Sequence, residues 1–196
     1  MTSVLLYMRE TLVSMLAALP LVAGARWLCA IRRKRLGKKV TALHEAGVWI
    51  FALCLLGLLS QTIIPELMSL HRGRPGAGSR VNLEIFLVFP QTWDEVFRNG
   101  NVSYFFINFL GNILIFAPIG FFPPLLWKRM QRLWKTVLFG CGLSVFIELT
   151  QLLLPRGTDV DDVWLNTLGA VLGYLLWKVV KKAAPKFAAR CACEEG

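Results

Sequence analysis

Five apolar stretches of 15 to 24 residues dominate the sequence and limit what the chain can fold into. They cover residues 11–31, 46–64, 104–127, 136–154 and 163–177. An α-helix needs ~20 residues to cross the hydrocarbon core of a bilayer, and the shortest stretch is followed by lysines whose stems can snorkel to the surface. Because lipid offers no hydrogen-bond partner to the backbone, such segments are stable as helices. The sequence therefore predicts an all-α, polytopic transmembrane helix bundle with about five spans.

The basic residues form three clusters beside these stretches. Residues 32–39 hold six Lys/Arg, residues 128–135 hold four and residues 178–190 hold five. When five spans alternate across a membrane, all three clusters fall on one side, which the positive-inside rule makes the cytoplasm. The formal net charge of +10 is thus explained by topology, and we expect no nucleic-acid binding. We predict a multi-pass plasma-membrane protein with its amino terminus outside and its carboxyl terminus in the cytoplasm.

The long polar connection between the second and third apolar stretches, residues 65–103, is predicted to lie outside and to contain a short interfacial helix. Thr92 and Glu95 have the spacing of a capping box, and Asn99-Gly100 offers a stop. The apolar side chains between these signals share one face: Trp93, Val96 and Phe97. A short amphipathic helix of this kind is typical of the membrane interface. Residues 80–90 show no clear periodicity, which leaves an extended and a re-entrant path open.

Polar side chains are concentrated at the outer ends of the last three stretches. At ~1.5 Å rise per residue, Asn108 and Asn112 lie roughly 6 and 12 Å below the outer end of their span. Glu148 lies about 9 Å below the end of the next span, and Asn166 lies at a similar depth in the last one. We therefore predict a polar pocket that opens outward. Its predicted ligand-binding residues are Asn108, Asn112, Glu148, Gln151, Arg156, Asp159, Asp162 and Asn166.

Glu148 carries the strongest functional signal of this set. A carboxylate in the interior of an apolar helix costs several kcal/mol unless it finds a partner, a proton or a function, so Glu148 is also the candidate catalytic residue. The others have structural alternatives. Buried amides serve as interhelical hydrogen-bond partners worth ~1 kcal/mol. Asp159 is a good N-cap, and Asp161 and Asp162 suit the dipole of a first helical turn. Arg156 can form an ion pair with one of these aspartates.

The small residues and cysteines have simpler interpretations. Gly169 and Gly173 form a G-x-x-x-G motif, which predicts that the last span approaches a neighbouring helix closely. The five cysteines do not have the pattern of a disulfide scaffold, and the C-x-C pair Cys191 and Cys193 has no other soft metal ligand nearby. We expect a reduced tail, no metal and no cofactor.

Three sequence blocks resemble the VanZ-like family. They are NFLGNILIFAPIG from Asn108, SVFIELTQ from Ser144 and RGTDVDDVWLNTLGAVLG from Arg156. Asn82-Leu83 also resembles a family element, with Ile85 where proline is usual. The resemblance covers about residues 80–178 and implies a bacterial cell-envelope protein. It also implies low-level resistance to teicoplanin-type lipoglycopeptides without a change in the peptidoglycan precursor terminus.

The resemblance and the spans together suggest three segments. Residues 1–45 are interpreted as an uncleaved membrane anchor with a basic cytoplasmic loop, because cleavage after Ala25 would export the basic residues 32–39. Residues 46–180 are interpreted as the VanZ-like transmembrane domain, and residues 181–196 as a cytoplasmic tail.

Three functions are compatible with this pattern. In the first, the pocket binds an amphiphile, either the lipoglycopeptide or a polyprenyl-linked wall precursor, and Arg156 holds a phosphate or carboxylate. In the second, the protein is a hydrolase or transferase acting on a lipid-linked substrate, with Glu148 as general base and Asp159 and Asp162 holding a divalent cation. In the third, Glu148 is the titrating group of a proton-coupled transporter. We expect the first, with membrane lipids as the surrounding partners.

Overall fold

The computed structural model describes residues 2–35, 40–62, 81–82, 84–152 and 158–193. Seven helices account for most of these residues: α1 (Thr2–Arg35), α2 (Ala42–Thr62), α3 (Val88–Trp93), α4 (Val102–Leu126), α5 (Leu133–Leu152), α6 (Val160–Ala183) and α7 (Pro185–Cys191). Helix α4 contains a π-helical segment, Phe105–Leu110, near its start. The prediction of an all-α fold is confirmed.

Five of these helices, α1, α2, α4, α5 and α6, are long and apolar enough to cross a membrane. The number matches the prediction, and the sequences of the five helices contain the five apolar stretches almost completely. The last spanning helix, α6, is longer than predicted because its ends are set by polar signals and not by hydropathy. Asp159 caps it by accepting a hydrogen bond from the backbone N–H of Asp161, and Pro185 begins the next helix. The chain is therefore a multi-pass membrane protein.

Helices α4 and α6 pack against each other at very short range. A Cβ atom added to Gly173 would lie 2.0 Å from the carbonyl oxygen of Ala117, and one added to Gly169 would lie 2.3 Å from the carbonyl oxygen of Ile113. Neither position can hold a larger residue unless the helices separate. The predicted close approach at the G-x-x-x-G motif is therefore confirmed, and it fixes the level at which the polar ends of α4 and α6 face each other.

Helix α1 lies at the edge of the bundle. The main apolar core is formed by α2, α4 and α5, with Phe116 and Ile147 among its buried residues. The described apolar side chains of α1 are largely exposed, and its described polar links to α2 include the ion pairs of Arg26 and Arg33 with Glu45; the Arg33 pair spans 2.7 Å. Among the described residues, charge pairing therefore joins α1 to the start of α2.

The segment before α4 takes an extended path and then turns into α3. Strand β1 (Val81–Asn82) pairs in parallel with strand β2 (Thr158–Asp159), directly before α6. The chain then turns at residues 85–87, where Phe86 has a φ of +71°. Of the two paths left open by the sequence, the described residues therefore follow the extended one at Val81–Asn82.

The prediction of a capping box at Thr92 was wrong. Helix α3 begins at Val88, so its N-cap is Leu87, five residues before Thr92, and Leu87 makes no side-chain hydrogen bond. The reason is that Asp161, at the start of α6, accepts the backbone N–H of Val88, so that the cap comes from another helix. Helix α3 continues as a π-helical turn, Asp94–Arg98, and the chain leaves it near Gly100, which has a φ of +66°, as the stop signal predicted.

At the other end of the bundle, α7 folds back against α2 and α4. The Nδ1 atom of His44 lies 2.8 Å from the carbonyl oxygen of Cys191, and the backbone N–H of Cys193 donates to Leu126 over 2.8 Å. The side chain of Cys191 is buried. Residues 185–193, which lie within the predicted tail of residues 181–196, are therefore packed against the bundle.

Candidate functional site

Polar side chains from three spanning helices meet where α4 and α6 begin and α5 ends. We call this group the polar cluster; it consists of Asn112, Ser144, Glu148, Asp159, Asp162 and Asn166. Five of its members were predicted as site residues. The antiparallel arrangement of α5 and α6 brings the last turns of one helix beside the first turns of the other, which is why residues distant in sequence meet here.

Glu148 is the buried carboxylate that α5 contributes to the cluster. The residue is 5% exposed, and its Oε2 accepts a hydrogen bond of 3.3 Å from the backbone N–H of Asp159. One turn earlier on α5, the buried hydroxyl of Ser144 accepts a 2.9 Å hydrogen bond from Nδ2 of Asn166. The buried Oδ1 of Asn166 has no hydrogen-bond partner among the described residues. The buried part of the cluster thus contains a carboxylate and an amide oxygen, both of which can accept hydrogen bonds.

A second side of the cluster joins α4 to α6. Asn112 donates from Nδ2 to Oδ1 of Asp162. The Tyr104 hydroxyl, at the start of α4, lies within electrostatic range of Asp159 and Asp162, and it donates a 3.0 Å hydrogen bond to Gln91. Tyr104 was not among the predicted site residues, because a tyrosine at the end of a span is typical of an interface residue.

Asp161 fixes the outer segment above the cluster. It is 2% exposed, and its two carboxylate oxygens accept the backbone N–H groups of Phe86 and Val88 and the indole N–H of Trp164, each over 2.6 Å. Sequence reasoning assigned Asp161 to the helix dipole. Two of the partners of its carboxylate are backbone groups more than 70 residues away, and no side-chain motif marks them. Asn82 has a related role, since its amide donates to Asp159 over 3.1 Å.

Two predicted site residues lie outside the polar cluster. Asn108 is exposed, and its amide donates to the carbonyl of Tyr104, one turn back on the same helix. Gln151 is buried, but its amide donates to the carbonyl of Thr62 over 3.2 Å and so joins α5 to the end of α2. Arg156 falls outside the described residues, so its predicted role stays a prediction.

An apolar surface borders the polar cluster. Its rings form one connected group, which we call the aromatic patch: Phe86, Phe89, Phe109 and Trp164, with centroids 5.5 to 6.4 Å apart along the contacts that join them. Phe86 is 58% exposed although it packs against Trp164. Because Asp161 binds both Phe86 and Trp164, one carboxylate holds the patch against the cluster.

The carboxylates of the cluster are engaged with amides. Asp159 accepts from Asn82, and Asp162 accepts from Asn112. Within the part of the chain that the structure describes, no group of three or more His, Cys, Asp or Glu side chains is arranged to hold a metal ion. The described donors to Asp159 and Asp162 include the side-chain amides of Asn82 and Asn112.

Comparison with known proteins gives one match. The family model described as VanZ/LLP1 matches residues 48–181, from the first turns of α2 to the end of α6. This range extends the resemblance to α2, contains the whole polar cluster and leaves α1 outside. Neither the search among curated proteins nor the search among solved structures found a match. Since the matched range is well over half of the chain, this protein is a member of the VanZ/LLP1 family.

Proposed function

We propose that this protein binds the polar head of an amphiphilic ligand at the polar cluster, on the outer side of the bacterial plasma membrane, and thereby contributes to low-level resistance to teicoplanin-type lipoglycopeptides. The ligand is either the antibiotic itself or a polyprenyl-linked wall precursor. One observation carries the proposal: a buried carboxylate, Glu148, accepts a hydrogen bond from the first residues of the α6 cap, one turn from the buried Ser144–Asn166 pair.

The distribution of charge supports the outward orientation. The spanning helices have two ends, one of which carries the polar cluster. The basic residues lie at the other end, at positions 32–35, 128–135 and 178–190. By the positive-inside rule the basic end faces the cytoplasm, so the cluster faces outward. An envelope ligand would reach it without crossing the membrane.

The chemistry of the cluster supports an amphiphile. Glu148 and Oδ1 of Asn166 are acceptors for hydroxyl or ammonium groups, and a bond to a carboxylate is about twice as strong as one between neutral groups. Arg156 precedes the Asp159 cap by three residues, and its guanidinium would bind a phosphate or carboxylate on the same head group. The aromatic patch would cover an acyl or prenyl chain, with ~25 cal/mol gained for each Å² of apolar surface removed from water.

The first experiment measures teicoplanin susceptibility in a sensitive host that expresses wild type, Glu148→Gln, Arg156→Ala or Glu84→Gln at equal membrane abundance, checked by immunoblot. Glu84 is an exposed carboxylate outside the cluster and is the matched control for Glu148. We expect wild type and Glu84→Gln to protect the host, and Glu148→Gln and Arg156→Ala to lose protection. Equal protection by all four proteins would contradict a binding role for the cluster.

A binding measurement separates the two ligands. Purified protein in lipid nanodiscs is titrated with teicoplanin, with deacylated teicoplanin and with a polyprenyl-linked wall precursor. Binding of the acylated antibiotic that Glu148→Gln abolishes would identify the drug as the ligand. Binding of the precursor alone would identify the precursor. Protection of the host by a protein that binds none of them would refute the proposal.

A further inference from the structure

A cavity of about 580 Å³ lies at the basic end of the bundle, far from the polar cluster. Its lining residues come from the last turns of α6 and from the loop before α5: Gln131, Tyr174, Trp177, Lys178, Val179, Lys181 and Lys182. Three of these side chains are cationic and none is acidic. Asp162 and Lys178 are 16 residues apart on α6, which places them ~24 Å apart along the helix axis. The cavity is therefore a second site, and its role is independent of the proposed function.

The wall of this cavity is held in place by Gln131. Its Nε2 donates to the carbonyl of Pro124 over 3.3 Å, and its backbone carbonyl accepts a 2.8 Å hydrogen bond from the Tyr174 hydroxyl. Its Oε1 accepts a 2.9 Å hydrogen bond from Nζ of Lys181. Gln131 thus joins its own loop to both α4 and α6, so the cavity is preformed in the folded protein.

Lys181 is oriented toward the cavity in a way that membrane topology alone does not require. Its ammonium lies 4.9 Å from the centroid of the Trp177 ring, in addition to its bond to Gln131. An ammonium has three N–H donors, and the bond to Gln131 uses one of them. Lys181 is exposed, and its two contacts hold the charge at the cavity wall, with donors remaining for an anion.

The cavity is also open toward the lipid-facing side of α6. Val179, which lines it, is 62% exposed, and Leu175 and Leu176, one turn earlier, are exposed as well. Lys178 and Lys182 are one turn apart on the same helix and both are exposed. An anion bound between these lysines would lie directly beside an apolar surface suited to acyl chains. That combination fits a lipid and does not fit a soluble anion.

We propose that this cavity binds the phosphate-bearing head group of an anionic phospholipid from the surrounding leaflet. Lys178, Lys181 and Lys182 neutralise the phosphate, and the acyl chains run along α6 past Val179 and Leu175. Basic pockets between membrane helices recognise lipid head groups by this combination of charge and apolar surface. Bound lipid would hold α6 against the loop that contains Gln131.

The test is a lipid titration of the full-length protein followed by native mass spectrometry. Phosphatidylglycerol and phosphatidylcholine are added to purified wild type, to the double variant Lys178→Gln/Lys182→Gln and to Lys186→Gln. The double variant leaves Lys181 and its two contacts in place, and Lys186 is an exposed lysine on α7 that does not line the cavity. An elution profile matching that of wild type confirms that each variant is folded.

We expect wild type and Lys186→Gln to bind phosphatidylglycerol more tightly than phosphatidylcholine. Each lysine near an anionic lipid contributes about fivefold in affinity, so the double variant should bind phosphatidylglycerol about 30-fold more weakly. Equal binding by the double variant and Lys186→Gln would overturn the proposal, as would equal affinity for the two lipids. Displacement of phosphatidylglycerol by inorganic phosphate would also overturn it, since the site would then recognise a free anion.

Discussion

Replacing Asp161 with asparagine should loosen the outer segment over the polar cluster while the helix bundle stays intact. In the native protein the two carboxylate oxygens accept three short hydrogen bonds, from Phe86, Val88 and Trp164. Asparagine has the same shape but keeps only one acceptor oxygen. Its NH₂ group would face a backbone N–H, so at least one buried donor loses its partner.

The size of the effect can be worked out from these contacts. A hydrogen bond to a charged group contributes about 1.5–3 kcal/mol. Losing one bond and weakening two should therefore lower the free energy of local opening of this segment by about 2–4 kcal/mol. Phe86 also has a left-handed backbone, which costs about 1–2 kcal/mol for a residue with a Cβ atom and which the bond to Asp161 helps to maintain. At 1.4 kcal/mol per tenfold, the amides of Phe86 and Val88 should exchange about 30- to 700-fold faster.

Hydrogen exchange followed by mass spectrometry on peptides from residues 84–93, with the protein in nanodiscs, measures this directly. Asp162→Asn is the matched control, because it is the same substitution at the next position and its carboxylate accepts the Asn112 side chain. We expect Asp162→Asn to leave exchange in residues 84–93 nearly unchanged. Unchanged exchange in Asp161→Asn, or equal acceleration in both variants, would refute the idea that Asp161 holds this segment.

Two further predictions concern the bundle and its basic end. Gly173→Val should destabilise the protein by about 3 kcal/mol or more, because even a Cβ atom would lie 2.0 Å from the Ala117 carbonyl oxygen. Gly142→Ala is the control and should be neutral, since no atom lies within 4 Å of its added Cβ. Size-exclusion chromatography after heating would measure the stability of both variants. Burial raises the pKa of the Cys191 thiol, so at neutral pH less of the reactive thiolate is present and maleimide should react slowly. His44→Ala removes the contact to the Cys191 carbonyl and should speed this alkylation, measured by mass spectrometry; an unchanged rate would contradict the role of His44.

The sequence was sufficient for features that depend on nearby residues. Hydropathy located the five spans, and the spacing of Gly169 and Gly173 predicted the close approach of α6 to a neighbour, because both signals are contained within a single helix. The depth of Glu148 and Asn166 along their helices predicted that they lie at one level, since antiparallel helices bring equal depths together, and Asn166 indeed bonds to Ser144, one turn from Glu148.

The sequence was insufficient where the partner is distant or the helix is irregular. The cap of α3 comes from Asp161, more than 70 residues away, so the local Thr92 signal was misleading. Asn108 and Asn112 were placed on one face by assuming 3.6 residues per turn. Asn108 lies within the π-helical segment Phe105–Leu110, and its exposed side chain donates to the carbonyl of Tyr104. The side chain of Asn112, which follows this segment, reaches Asp162 instead.

The return of α7 to the bundle imposes an order of events on the synthesis of this protein. The contact between His44 and Cys191 joins residues 147 positions apart, and Cys193 is needed for the bond to Leu126. While the chain is being inserted, the start of α2 lacks a partner that has not yet been translated. Helix α7 can pack against the start of α2 only after the last spanning helix, α6, has entered the membrane. Protection of His44 and Cys191 from chemical modification therefore reports that insertion of the whole bundle is complete.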